Sequence, residues 1–389
     1  MSVITPDQLV GARSPIYITA GYSALASSIT DITLEVYIWN AARGSRPSSA
    51  QYTLFRDVFA GTDVSFDIAP LVAEYIENDY SSTSITATQA SIDKGVWWVQ
   101  IDYTVNYQNK ADPPVTVNDT GSSDIFPVSN GYHTFAEGAN FEIPSLFLNQ
   151  VDRVYITTSG NEVLPICIGK YGAEDVEEIL YNDGSGDYTI DLTSFHDPSQ
   201  PEGSIIDFPI GATNLTTYLT ALGFTGTMPS ALDTYILDLQ GSAGSLDVVT
   251  VEKVCEPKYT INTIEFINRY GAWEHIHFFK ASQDSFNTTS EQYRKSLGTS
   301  STSGYTYDST DEMYKQYNTN GKTRTTLNTG WVAEDYKEAI KDLMMSERVM
   351  MNGSPVSVVS TSTNLQKSVN DKTINYTIEV EEAFDTRYV

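Results

Sequence analysis

The segment Ile32–Trp39 places Ile32, Leu34, Val36 and Ile38 at every second position, with Thr33, Glu35, Tyr37 and Trp39 between them. Side chains along a β-strand point alternately to opposite faces, so a period of two fits a strand and cannot line one face of a helix. The pattern returns at Ile101, Tyr103, Val105 and Tyr107. It returns again near the end, where Tyr376, Ile378 and Val380 alternate with Thr377, Glu379 and Glu381. Turn-rich stretches separate such runs: AARGSRPSSAQ after Asn40, and NKADPPVTVNDTGSSD from Asn109, read as a loop. A chain built this way is expected to be mainly β, made of two or three β-sandwich domains, Ig-like or jelly-roll-like, with a few short helices.

The expected domains are an N-terminal β-sandwich over 1–135, a middle β domain over 136–255 and a C-terminal β-sandwich over 256–389. In the first, Asp67 and Pro70 open a short helix whose Ile68, Leu71, Val72, Tyr75 and Ile76 have helical spacing and would plug one end of the sandwich. In the second, RVYITTSG, EVLPICIG, EEILYNDGSGDYTIDL and TYILDLQG read as short strands, and NLTTYLTALG as a helix ending at Gly223. In the third, two strands fold back near Gly271, and Asn320-Gly321 and Asn352-Gly353 both carry the signature of a type I′ hairpin turn. An amphipathic helix is expected over 331–346. Val332, Tyr336, Ala339, Ile340, Leu343 and Met344 form its apolar stripe, Glu334 and Asp335 its first turn, and Glu334–Lys337 and Glu338–Lys341 pairs its wet side. No repeat of solenoid or propeller period and no heptad run occurs, which fits a globular or ring-forming piece better than a fibre shaft.

Charge narrows the partners. Against 23 Lys and Arg stand 50 Asp and Glu, a net charge of −27. Such a field repels nucleic acid and anionic membranes, so sequence-specific nucleic-acid binding and membrane insertion are not expected. The start, MSVITPDQLVGARSP, lacks the basic flank and apolar stretch of a secretion leader. The 25 Tyr residues suit half-buried strands and contact surfaces, because an apolar ring carries a polar tip.

Several constellations could hold chemistry, and each has a plainer reading. His275 and His277 lie two apart on an expected strand and share a face, the spacing of a pair of metal ligands; His133 and His196 are remote from them. Asp183, Ser185 and Asp187 in NDGSGD resemble the start of a calcium loop, but Ser194 stands where the loop's closing Glu belongs, so a tight turn is the simpler reading. Asp308, Asp311 and Glu312 read as a loop lining. Cys167 and Cys255 lack zinc spacing and read as small buried residues, with a bridge between them left open. No nucleophile elbow, HExxH, P-loop or dinucleotide fingerprint is present. No catalytic, cofactor-binding or metal residue is therefore assigned, and a non-enzymatic role is expected.

Segments at both ends carry a resemblance. INTIEFINRYGAWEHIHFFK, NTGWVAEDYKEAIKDLMMSERVMMNGSPVSVVS and KTINYTIEVEEAF, together with SPIYITAGYSALASSITDITLEVYIW and DVSFDIAPLVAEYI, resemble structural proteins of tailed bacteriophages of Bacteroidetes hosts, the crAss-like phages included. About half of the chain is covered, and the middle is unmatched. The resemblance implies β-sandwich domains stacked into a tail, neck or baseplate ring of six or twelve copies. It further implies contacts with other tail or neck proteins, and a place in the virion after synthesis in the host cytoplasm. It carries no active-site residue. The competing expectation is a glycan-binding host-attachment module, which would need Trp97, Trp98 or Trp273 to line a groove.

Overall fold

The computed structural model describes residues 2–6, 8–21, 26–40, 43–58, 63–76, 91–92, 95–111, 113, 115–143, 147–158, 160–168, 176–192, 204–241, 244–255, 258–360 and 373–387. The chain is mainly β, with 54% of the described residues in strands and 10% in helices, folded into several sheets in a multi-domain β-sandwich arrangement. Contacts divide it into two compact units: Met1–Cys255 with Phe266–His277 and Asp335–Ser346, and Glu256–Glu265 with Phe278–Glu334 and Glu347–Val389. No helix among the described residues is long and apolar enough to cross a membrane.

The first unit opens with a two-sheet sandwich. Strand β1 (Tyr17–Gly21) lies between Ser2–Ile4 and a later strand of the same sheet. Across from it, the long β2 (Ala26–Trp39) pairs with β3 (Tyr52–Asp57). The strand completing β1's sheet is β4 (Asp63–Asp67), followed by helix α1 (Ala69–Ala73). Strand β5 (Trp97–Asn109) is the other neighbour of β2, with Ile32 opposite Val105, Leu34 opposite Tyr103 and Val36 opposite Ile101. The alternating residues Ile32, Leu34 and Val36 are each 0% exposed. They pack with Ile18, Phe66 and Val72 in one cluster, so α1 closes this core through its Val72 as the periodicity anticipates. Each such fully buried side chain contributes roughly 1.5–3 kcal/mol relative to exposure. Asp67 fixes the entry to α1, its Oδ1 accepting the amides of Ile16 at 3.2 Å and Ala69 at 3.1 Å.

Part of the expected 109–124 loop is instead strand β6 (Thr116–Ser122), an edge strand paired along β5. Its polar residues hid the alternation, and Gly121 leaves room for the ring of Tyr103 across the pair. Strand β7 (Phe126–Ser129) returns beside the start of β5. The far end of β2 is covered on its second face as well. Tyr37, Trp39 and Trp98 are buried with Leu148, Cys167 and Ile205 from the next layer.

That layer contains β8 (Arg153–Thr157), β9 (Val163–Ile168), β10 (Val176–Asn182), β11 (Asp187–Asp191), β12 (Ser204–Pro209), helix α2 (Ala212–Ala221), β13 (Thr234–Gly241) and β14 (Gly244–Val254). A five-stranded sheet runs β8-β14-β13-β10-β11, and β9 and β12 pair in a separate three-stranded sheet. The helix stops before Gly223, whose φ of 81° is the left-handed conformation that ends helices.

Strands β15 (Asn262–Ile267) and β16 (Trp273–Phe278) flank a turn in which the Asn268 amide donates to the Ala272 carbonyl at 2.9 Å. In the second unit, β17 (Gln283–Arg294) is followed by the small hairpin β18 (Gly298–Ser301) and β19 (Gly304–Tyr307), then by β20 (Tyr314–Ala333). After helix α3 (Tyr336–Met345), which belongs to the first unit, come β21 (Val349–Met351), β22 (Ser354–Val358) and β23 (Thr373–Glu382). The sheet order here is β21-β22-β23-β20-β17. Tyr376, Ile378 and Val380 form its buried face as the alternation requires.

Two local expectations for this region fail for physical reasons. Asn320-Gly321 is not a turn: β20 runs straight through it, with Asn320 opposite Thr289 and Gly321 opposite Thr288 of β17. Gly321 there serves as a bed for the ring of Phe286, which a Cβ would strike. The helix begins at Tyr336 and not at Trp331, because Trp331, Val332 and Ala333 still pair with Asn375, Ile374 and Thr373 of β23. By contrast Asn352 and Gly353, with φ of 50° and 81°, make the expected turn between β21 and β22.

Candidate functional site

The fold buries its titratable side chains mostly within the first unit, where stretches distant in sequence meet. Glu162 stands just before β9. Its Oε1 accepts the Thr157 amide at 2.9 Å and the Thr157 hydroxyl at 2.6 Å, and His277 Nε2 lies 3.2 Å from the same oxygen. Its own carbonyl accepts the amides of Ile210 and Gly211 and the Asn214 side-chain amide. Gly160 and Gly211 make room for the carboxylate; a Cβ on either would collide with it. Burial by itself would raise the pKa of Glu162, but the hydrogen bond and charge of His277, the Thr157 hydroxyl and the charge of His275 outweigh it and hold the carboxyl at about 2. His275 is held at about 4 by burial and by His277, against the pull of Glu162. Glu162 is therefore ionised and His275 neutral at neutral pH.

A second cluster sits on the same turn. Asn268 donates through Nδ2 to the Leu148 carbonyl at 2.5 Å and to Glu274 Oε2 at 2.9 Å, while its Oδ1 accepts the amides of Tyr270 and Ala272. Burial pushes Glu274 up to about 8; the Asn268 hydrogen bond opposes this and the charge of Asp342 adds to it. Glu274, His275, Tyr336 and Asn149 line a cavity of about 10 Å³, room for one water molecule and far below the size of a ligand pocket.

Asp342 of α3, buried on what the sequence reads as the wet side, accepts the Tyr132 hydroxyl at 3.0 Å and the Arg269 amide at 3.1 Å. Arg269 in turn reaches both oxygens of Glu137 at 2.7 Å. Ser129 donates to the Tyr270 carbonyl at 2.7 Å, and the Tyr132 amide donates to the Arg269 carbonyl at 2.7 Å. The two backbones approach this closely because Gly131 and Gly271 lack a Cβ. Gly131→Ala, whose Cβ would meet the Arg269 carbonyl, is expected to cost about 1–3 kcal/mol in urea unfolding at pH 7.

The arrangement couples segments of chain to one another. His275 and His277 come together as their spacing implies, ring centroids 5.1 Å apart, with a carboxylate beside His277. Among the described residues no group of three His, Cys, Asp or Glu is placed to hold a metal ion. His133 stacks on Phe141 instead, and His196 lies outside the described residues. Asp183 is a turn residue: its Oδ1 accepts the Ser185 and Gly186 amides and its Oδ2 the Thr227 amide. Asp311 pairs with Lys295 at 2.7 Å, and Asp308 caps the turn to Thr310. Cys167 is buried; Cys255, expected to be buried, is exposed just past the end of β14, and no disulfide joins the two. Glu162, Asn268 and Asp342 carry no sequence signal, since their partners arrive from stretches far along the chain.

No family model matches the chain, and no curated protein matches it. Two solved structures align over most of it. One is of a 1.5-MDa bacterial ice-binding adhesin, with 7% identity over 84% of this chain and 90% of that one, at a TM-score of 0.20. The other is of a Ca2+-stabilised adhesin with which an Antarctic bacterium binds ice, with 10% identity over 96% of each chain, at a TM-score of 0.19. Likeness at this level carries no argument about this chain.

Proposed function

We propose that this chain is a non-enzymatic structural subunit of a tailed-bacteriophage particle, assembling with copies of itself into a ring of the tail, neck or baseplate. The observation that carries the reading is the use made of the buried polar side chains. Asn268 and Asp342 spend their hydrogen bonds on fastening remote segments together, Glu162 holds the distant His277 beside it, Glu274 braces the Asn268 turn, and the cavity beside Glu274 admits a single water. Side chains arranged for rigidity suit a frame that must keep its shape while bonded to neighbours. The resemblance of the terminal segments supplies the phage particle as the setting, with other tail or neck proteins as further partners. Against the glycan-binding alternative, Trp98 is buried between layers, and Trp97, half-buried, packs against the sandwich core; Trp273 is half-buried on β16.

Mass photometry and negative-stain microscopy of the purified full-length chain test this. Closed rings of six or twelve copies are expected. A chain that stays monomeric from nanomolar to about 100 µM concentrations overturns the self-assembly reading.

A further inference from the structure

Beyond its pairing with β23, strand β20 continues outward with β17 as its only strand neighbour among the described residues. Thr289 to Arg294 pair with Asn320 back to Tyr314, and the β18–β19 hairpin lies between these two strands in the chain. All residues of β17 are exposed, and so are the first five of β20. Tyr293, Tyr305, Tyr314 and Tyr317 are 45%, 68%, 59% and 63% exposed. A two-stranded ribbon wet on both faces is marginally stable alone, and a long free edge invites another strand.

We propose that this arm, residues 289–320, is the contact by which one copy of the chain grips a second copy. The inference rests on the ring reading above and names its bonding element. Three observations select a second copy as the occupant. First, each copy carries a net charge of −27, so two copies repel over most of their surfaces, yet the arm has only four acidic residues against three basic ones. Like-charge repulsion is therefore small along this stretch. Second, the ribbon is about 20 Å long at the usual rise per residue. Its two exposed faces and the distal hairpin, with four exposed Tyr rings, offer contact area toward the roughly 800 Å² per partner of a stable interface. Third, the chain itself presents a strand edge of the same Thr, Asn and Ser chemistry in β6, which among the described residues pairs only with β5. An arm of one copy pairing with an edge of the next makes a head-to-tail contact of the kind that closes rings.

The test uses the full-length chain with a photoreactive benzoylphenylalanine at Tyr317, beside the double variant Tyr305→Asp with Tyr317→Asp. Irradiation is expected to give denaturant-resistant dimers and higher ladders, with the cross-linked peptides coming from two copies. The double variant is expected to assemble about 100-fold more weakly at an unchanged thermal midpoint. Rings that form while cross-links stay within one chain, or while the double variant assembles like the parent, overturn the arm and leave the ring reading standing. Cross-links that go only to another protein of the particle overturn the choice of a second copy.

Discussion

Glu162→Ala lowers the unfolding free energy by about 3–5 kcal/mol at pH 7, measured as a fall in the urea midpoint at unchanged slope. The carboxylate is the shared acceptor of Thr157 and the neighbour of His277, all within the first unit. Removing it leaves the Thr157 donors without their acceptor and His277 Nε2 without the oxygen 3.2 Å away, and opens a void over Gly160 and Gly211. Glu162→Gln keeps the shape and an acceptor for Thr157 while losing the charge, so it falls between the two. The pH dependence carries a definite sign. The folded carboxyl is held at about 2, below its ordinary 4.5, so its contribution is complete above pH 4.5 and is lost as the pH falls from 4.5 towards 2. His275, held at about 4 against an ordinary 6.5, withdraws stability in an earlier window, as the pH falls from 6.5 to about 4. Glu162→Gln should therefore narrow its gap to the parent as the medium is acidified below pH 4. A loss under about 1 kcal/mol for Glu162→Ala at pH 7 would mean that the cluster is ornamental to the fold.

The strands were legible because one face of each is dry. Ile32, Leu34 and Val36 in β2 and Tyr376, Ile378 and Val380 in β23 announce themselves by a period of two, and the burial follows it residue for residue. β6 was not legible, because TVNDTGS holds its place by pairing with β5 and carries almost no apolar face to read. Asn320-Gly321 and Asn352-Gly353 are the same dipeptide with opposite outcomes. The second sits between two short strands that need a turn, whereas the first lies in mid-strand opposite a twelve-residue partner, where Phe286 needs a glycine beneath it. The start of α3 was misplaced because Val332 and Tyr336 are four apart, a spacing that fits a helix and equally fits the last residue pair of a strand followed by a new element. The buried polar cluster was beyond sequence reasoning altogether. Asp342 meets Tyr132 across 210 positions of chain, and nothing local distinguishes it from the solvated Lys341–Glu338 pair beside it. The histidine pair was visible as a spacing, but the carboxylate that gives it meaning, Glu162, reads as an ordinary loop residue.

Glu274→Gln reverses the usual direction of a core substitution and makes the chain more stable at alkaline pH. Glu274 is buried, accepts one hydrogen bond from Asn268 and feels the charge of Asp342, and burial raises its carboxyl to about 8. In the unfolded chain the same group ionises near its ordinary 4.5. The folded state thus holds a proton that the unfolded state has released. The contribution is complete below pH 4.5, declines as the pH rises, and is exhausted above about 8. At up to about 1.4 kcal/mol per pH unit, the accumulated loss is on the order of 3–5 kcal/mol. Glutamine has the shape of the protonated acid, can accept from Asn268 through its own carbonyl oxygen, and has no proton to lose. Parent and variant should therefore unfold at similar urea concentrations at pH 4.5, diverge by pH 7, and differ most at pH 9, with the variant the more resistant. Because Glu162 and His275 titrate well below this window in the folded chain and are common to both proteins, the difference between the two curves isolates Glu274. A variant that is no more stable than the parent at pH 9 would show that Glu274 reaches water in the folded chain, and that the Asn268 turn is looser than the hydrogen bonds around it imply.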